Sequence, residues 1–214
     1  MESLNPGTEA RVRVLRTLAG VGASLFLAWQ SVVLFGVLTE VWPSSVGLTA
    51  FVAWAFNMAV TGAFALAGFV LPTHRLLPEA YYRITHPKRL QAIYTGAGVD
   101  VFRGVLLATA WRDRAMRARF FDGSARGLDH LAVQSRSAEV GHVLPWVVLT
   151  AASAVWMARG AVLLGVLTLA FNTLGNLYPV LLQRHHRMRI QRLRRLRAAP
   201  RSPRPRTAAS SLPP

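Results

Sequence analysis

Cysteine is absent from these 214 residues, so disulfides, thiolate metal ligands and a cysteine nucleophile are all excluded. Carboxylates are scarce: 9 Asp and Glu stand against 25 Lys and Arg, giving a net charge of +16 and a pI near 11.9. There is no G-x-S-x-G element, which leaves a Ser-His-Asp hydrolase without support. Phosphate-loop and dinucleotide fingerprints are missing as well, since Gly96-Ala97-Gly98 is not followed by the further glycine and helix they need. No histidine has an Asp five positions later, so an H-x-x-x-x-D acyltransferase motif is absent. One E-x-x-H occurs, but no second copy and no H-E-x-x-H, and two ligands from one helix do not make a metal site; no metal or cofactor is expected.

What is present is apolar surface in blocks. An apolar fraction of 52% and a mean hydropathy of +0.32 are too high for a soluble domain of this length. Charged residues are missing from 17–38, 46–71, 143–158 and 161–182, and a run of about 20 residues at 1.5 Å rise crosses a hydrocarbon core of about 30 Å. The sequence thus predicts an all-α, polytopic membrane protein with about four transmembrane helices and a cytoplasmic amphipathic segment. Arg11, Arg13 and Arg16 ahead of the first run imitate a signal-peptide n-region, but the run is too long and no small-residue cleavage pattern precedes Val41-Trp42-Pro43, so an uncleaved span is expected.

The expected organisation is a cytoplasmic leader at 1–16, a first transmembrane hairpin at 17–71, and a basic cytoplasmic or interfacial segment at 72–138. A second hairpin with an Arg-rich end follows at 139–197, and then a tail at 198–214 too poor in large apolar groups to order itself. Within the central segment, residues 98–111 are partly apolar but short and interrupted by Asp100 and Arg103, which fits an interfacial amphipathic helix or a re-entrant piece. Asn57, deep in the second run, reads as a helix-to-helix hydrogen bond. The two short turns carry Arg159 alone among the 25 Lys and Arg, so the positive-inside rule expects both termini and the central segment in the cytoplasm, in a multi-pass protein of the cell (inner) membrane. The positive charge borders hydrophobic blocks, which fits anionic lipid headgroups. Nucleic acid is a poor partner, because the tail arginines lack interleaved aromatic residues for base stacking.

Glu139 and His142 stand three residues apart at the start of the third run, on a shared helix face. A carboxylate beside an imidazole fixes its tautomer and favours its charged form, which suits proton removal from an alcohol attacking a carbonyl. The same spacing also describes an interfacial ion pair at a helix start. The run Gln183-Arg184-His185-His186-Arg187-Met188-Arg189 is equally two-sided: a topology anchor on anionic lipid, or guanidiniums that hold the phosphates of a donor such as coenzyme A.

These residues carry a resemblance. Ala138-Glu139 with His142, then Asn176, Pro179, Gln183-Arg184, Arg187 and Arg189 resemble the A-E-x-x-H, N-x-x-P, Q-R and x-x-R-x-R elements of the glycosyl-4,4'-diaponeurosporenoate acyltransferase family of staphyloxanthin-type carotenoid synthesis. Leu77-Pro78 with Tyr81-Tyr82-Arg83 is similar to that family's I-P-x-x-Y-F-R, and Trp111 and Asp122-Gly123 are similar to its W-K and D-G elements. The resemblance covers roughly residues 72 to 196. It implies transfer of a fatty acyl group from acyl-CoA or a similar donor, a co-substrate and not a cofactor, to a sugar hydroxyl of a lipid-embedded glycoside. His142 would act as base and Glu139 as its orienting partner. Arg184, Arg187 and Arg189 would take donor phosphates, Asn176 or Gln183 would polarise the thioester carbonyl, and Asp122 would join the substrate site. The competing expectation is a non-catalytic membrane scaffold or accessory subunit whose basic edges bind lipid.

Overall fold

The computed structural model describes residues 6–109, 112–113 and 124–198, and every regular element among them is helical. In chain order these are α1 (Pro6–Glu40), α2 (Val46–Val70), a 3-10 turn (Thr73–Arg75), α3 (Glu79–Tyr82), α4 (Pro87–Gly96) and α5 (Val99–Ala108). Then come α6 (Ala125–Ala158), α7 (Val162–Asn172), a π-helical turn (Thr173–Leu177) and α8 (Tyr178–Ala198). Among the described residues, four stretches are long and apolar enough to cross a membrane: Gly7–Glu40, Val46–Val70, Gly127–Ala158 and Val162–Arg197. The molecule is a polytopic helical membrane protein built from two hairpins.

Local sequence sets the corners. Pro43 stops the chain between α1 and α2, and the Ser45 hydroxyl accepts the Leu48 N–H at 3.3 Å as the cap of α2. Gly160, at φ +92°, supplies the left-handed residue that turns α6 into α7. The hairpins meet in an apolar core where Trp156 of α6 packs edge-on to Phe56 of α2, ring centres 5.0 Å apart, and tilts against Phe35 of α1 at 5.5 Å. Leu149, Ala53 and Leu164 fill the space around them. Asn57 donates from Nδ2 to Ala53 O at 2.9 Å and, across the hairpins, to Thr168 O at 3.2 Å. Leu18, Leu25, Trp29 and Val32 of α1 remain exposed, the lipid-facing side of such a bundle.

Two expected boundaries move. α1 is helical from Pro6, so residues 6–16 of the expected leader belong to it, and α6 starts at Ala125, inside the expected central segment. The physical reason is common to both. An apolar run marks only the part of a helix that lies in hydrocarbon, whereas its backbone bonds are satisfied internally and let it continue into water. With 35 and 34 residues, α1 and α6 are about 50 Å long at 1.5 Å rise, well beyond a hydrocarbon core of about 30 Å. Ser124 caps α6 by accepting the Gly127 N–H at 2.8 Å.

The segment between the hairpins covers the Arg-rich end of the bundle. α4 and α5 dock on α8: Tyr94 stacks on His185 at 4.4 Å, Phe102 meets the Tyr178 ring at 5.1 Å, and the Tyr178 hydroxyl donates to Ala97 O at 2.8 Å. α5 is a separate ten-residue helix, about 15 Å long, too short to span. Of the expected tail, Ala198 ends α8, and residues 199–214 lie outside the described residues.

Candidate active site

Glu139, on α6, has no exposure to solvent. Its Oε1 accepts from Arg184 Nε at 3.0 Å, and Oε2 is ion-paired with Arg187 Nη2, both guanidiniums coming from α8. Burying a carboxylate is costly unless opposite charge and hydrogen bonds replace water, and two guanidiniums supply this. The Arg187 pair is held by charge more than by hydrogen-bond geometry, since Oε2 and the two Nη atoms find no aligned partner.

Aromatic rings close the same cluster. Tyr82 is 1% exposed and lies between two guanidiniums, with the Arg136 and Arg187 carbons each 4.7 Å from its ring centre. Arg184 covers Tyr81 at 4.5 Å. A desolvated cation over a ring is worth about 2 kcal/mol, so α3 is clamped to the bundle although it is four residues long. Arg136 reaches past Tyr82 to grip Glu79 with both Nη atoms, Nη2 to Oε2 at 2.9 Å. That bond holds the Glu79 carboxyl below its ordinary range. Burial first, and then the charge of Glu139, push the Tyr82 phenol up to about 12.

His142 faces elsewhere. Its Nδ1 lies 3.1 Å from Asn176 Oδ1 in the π-helical turn, and a chain of buried polar groups continues from there. Asn176 Nδ2 donates to Asn172 Oδ1 at 3.0 Å and to Thr61 Oγ1 of α2 at 3.0 Å. Asn172 Nδ2 donates to Trp146 O at 3.0 Å and to Thr150 Oγ1 at 3.1 Å. Asn172 and Asn176 are 0% and 1% exposed. The π-helical turn places Asn176 here and accommodates Pro179, which has no N–H for the Gly175 carbonyl four residues back.

Three expectations about these side chains therefore change. Glu139 does not orient His142: at about 100° per residue the two are offset by about 60° on α6, enough for one to face the arginines of α8 and the other the π-helical turn. Asn176 has no amide proton left to polarise a carbonyl, because Thr61 and Asn172 take both. Arg187, 6% exposed in its side chain, is closed between Glu139 and Tyr82 and is not open to a soluble donor. Arg184 retains 27% exposure and Arg189 is exposed, so these two stay at the surface of the same helix end. Gln183 brings its backbone carbonyl to Ser135 Oγ at 3.5 Å. Asp122 and Trp111 lie outside the described residues. Asn172, Thr61, Thr150 and Arg136 are the participants not singled out from sequence; the i, i+4 spacing of Asn172 and Asn176 inside an apolar run is the signal that points to the first. Among the described residues, no three His, Asp or Glu side chains converge as metal ligands would.

Fold and site together define a helical membrane protein with an imidazole at the Arg-rich end of its bundle and a charged, aromatic-lined cluster beside it. Residues 78–196 match the family model of glycosyl-4,4'-diaponeurosporenoate acyltransferase, and the chain belongs to this family. The match runs from the residue before α3 into the last turn of α8 and so contains both clusters. Comparisons with curated proteins and with solved structures return no match.

Proposed function

We propose that the protein is a membrane acyltransferase that moves a fatty acyl group from a thioester donor to a sugar hydroxyl of a lipid-linked glycoside, by family a glycosyl carotenoid. The observation that carries this reading is the joint placement of His142 and the Arg184–Glu139 cluster on α6 and α8, inside the matched region. His142 takes the proton of the attacking hydroxyl while the sugar oxygen bonds to the acyl carbon. The carbon–sulfur bond breaks, and the same proton goes to the departing thiolate, leaving an ester and a thiol. Acyl-CoA is the proposed donor, and its phosphates would meet Arg184 and Arg189, whose planar forks suit phosphate oxygens. Glu139 and Arg187 support this site by fixing where Arg184 stands.

The charge asymmetry of the sequence supports an Arg-rich end on the cytoplasmic side of the cell membrane, with both termini there. A base at that end of the bundle would meet a soluble donor from water and a glycolipid headgroup from the bilayer. The test is mass spectrometry of membranes carrying the wild-type protein, supplied with acyl-CoA and a glycosyl carotenoid. An acylated glycoside absent from empty membranes is the expected product; its absence with folded protein and a panel of glycolipid acceptors would overturn the assignment.

A further inference from the structure

The polar chain that ends on His142 has a direction, and the direction assigns a proton. Its fixed end is Trp146 O, a carbonyl that can only accept. The Thr150 hydroxyl already donates to that carbonyl at 2.7 Å, so it too presents a lone pair to Asn172. Both neighbours of the Asn172 amide nitrogen are thus acceptors, which orients the side chain with Nδ2 toward them and Oδ1 toward Asn176. An oxygen there requires the Asn176 amide nitrogen opposite it, at 3.0 Å, and this leaves Asn176 Oδ1 facing the imidazole. Thr61 is neutral in this respect, because its hydroxyl lies 3.0 Å from Nδ2 and 3.3 Å from Oδ1 of Asn176 and can serve either. An amide oxygen cannot give a proton to Nδ1, so the ring must supply it.

We propose that Asn172 and Asn176 are positioning residues that hold neutral His142 with its proton on Nδ1 and its lone pair on Nε2. The proposal rests on the reading of His142 as the base, and it names the nitrogen that acts. Asn172 does this without touching the ring. Burial makes the relay stiff: an amide turned the wrong way would set donor against donor or oxygen against oxygen out of reach of water, a penalty of about 1–3 kcal/mol for each group left unpaired. The motif N-x-x-P gains a physical meaning from this. Asn176 accepts the ring proton, and Pro179 frees the carbonyl of Gly175 and is accommodated by the π-helical turn that aims Asn176 at α6.

The test is nitrogen NMR of protein labelled with 15N-histidine in lipid nanodiscs, on the alkaline side of the ring titration, with the His142→Gln spectrum used to assign the signal. Wild type should show Nδ1 protonated and Nε2 bare. In Asn172→Ala the Asn176 amide loses its oxygen partner and is free to turn over, offering Nδ2 to the ring, so the proton should move to Nε2 and kcat should fall about 100-fold with KM little changed. Asn172→Asp, in its protonated form with the O–H toward Trp146 O, keeps an oxygen facing Asn176 and should retain the wild-type tautomer, which separates orientation from mere packing. A wild-type ring protonated on Nε2, or an unchanged tautomer in folded Asn172→Ala, would overturn the proposal. The spectrum needs no turnover, so a correct tautomer in a protein that makes no ester would count against the acyl-transfer reading alone.

Discussion

Glu139 Oε1 accepts the Nε–H of Arg184 at 3.0 Å, a contact between residues 45 positions apart that ties α6 to α8 around a carboxylate with no solvent exposure. With Arg187 on its other oxygen, this one side chain balances two guanidiniums of α8.

Removing that charge should damage the fold before it damages chemistry. Glu139→Gln leaves two guanidiniums close together with no counter-ion, and breaking a buried pair typically costs about 3–5 kcal/mol. The variant should unfold at a clearly lower temperature in detergent than wild type. Adding Arg187→Met should recover part of the loss, since it removes one of the stranded charges. Wild-type thermal stability of Glu139→Gln would mean that the cluster is not balanced as described.

The α6–α7 hairpin depends on Gly165. A Cβ built there would lie 2.8 Å from Ser153 O and 2.5 Å from Met157 Cγ, and a backbone carbonyl does not move aside cheaply. Gly165→Ala should therefore lower stability by about 1–3 kcal/mol, the scale of overpacking. Gly22→Ala, in open space on α1, serves as the control and should not lower the melting temperature.

Alkaline unfolding should report on Tyr82. Its phenol is pushed up to about 12 in the folded protein, against an ordinary value of 10.0. Below about pH 10 the phenol is neutral in both states and its contribution to stability is complete. Between about pH 10 and 12 the unfolded chain ionises first, so stability falls as pH rises through that window. Tyr82→Phe cannot ionise and should lose less stability over the same range in thermal scans. An identical pH dependence in the two proteins would show that Tyr82 is not buried between its arginines.

Topology follows from charge. Reporters fused at Ser44 and Gly160 should read as outside, and one fused at Arg83 should read as cytoplasmic, because all but one of the 25 Lys and Arg fall in sequence outside the two short turns. A cytoplasmic signal from Ser44 would place the site on the wrong side for a soluble acyl donor.

How much of this was legible depended on range. The four spans can be read from uncharged runs, and the run 46–71 differs from α2 by a single residue, since hydrocarbon imposes composition residue by residue. Helix ends in water carry no such constraint, which is why Ala125 as the start of α6 is hidden among polar residues. At the site, the spacing of Glu139 and His142 correctly puts them on one helix but says nothing of which neighbours pack against each face. Thr61 joins Asn176 from 115 positions away, and Arg184 reaches Glu139 from the other arm of its hairpin, 45 positions on; contacts of that separation come from packing. Arg187 reads as a surface cation in sequence and is among the most buried charges in the protein, because Tyr82 and Glu139 enclose it.

The central claim is that His142 carries the proton in acyl transfer. Its most direct test is the rate of acylated glycoside formation by His142→Ala, in membranes supplied with acyl-CoA and a glycosyl carotenoid, at expression and melting temperature matched to wild type. A loss of about 100-fold or more is expected, the scale of a positioned general base; turnover within about twofold of wild type would contradict this role of His142.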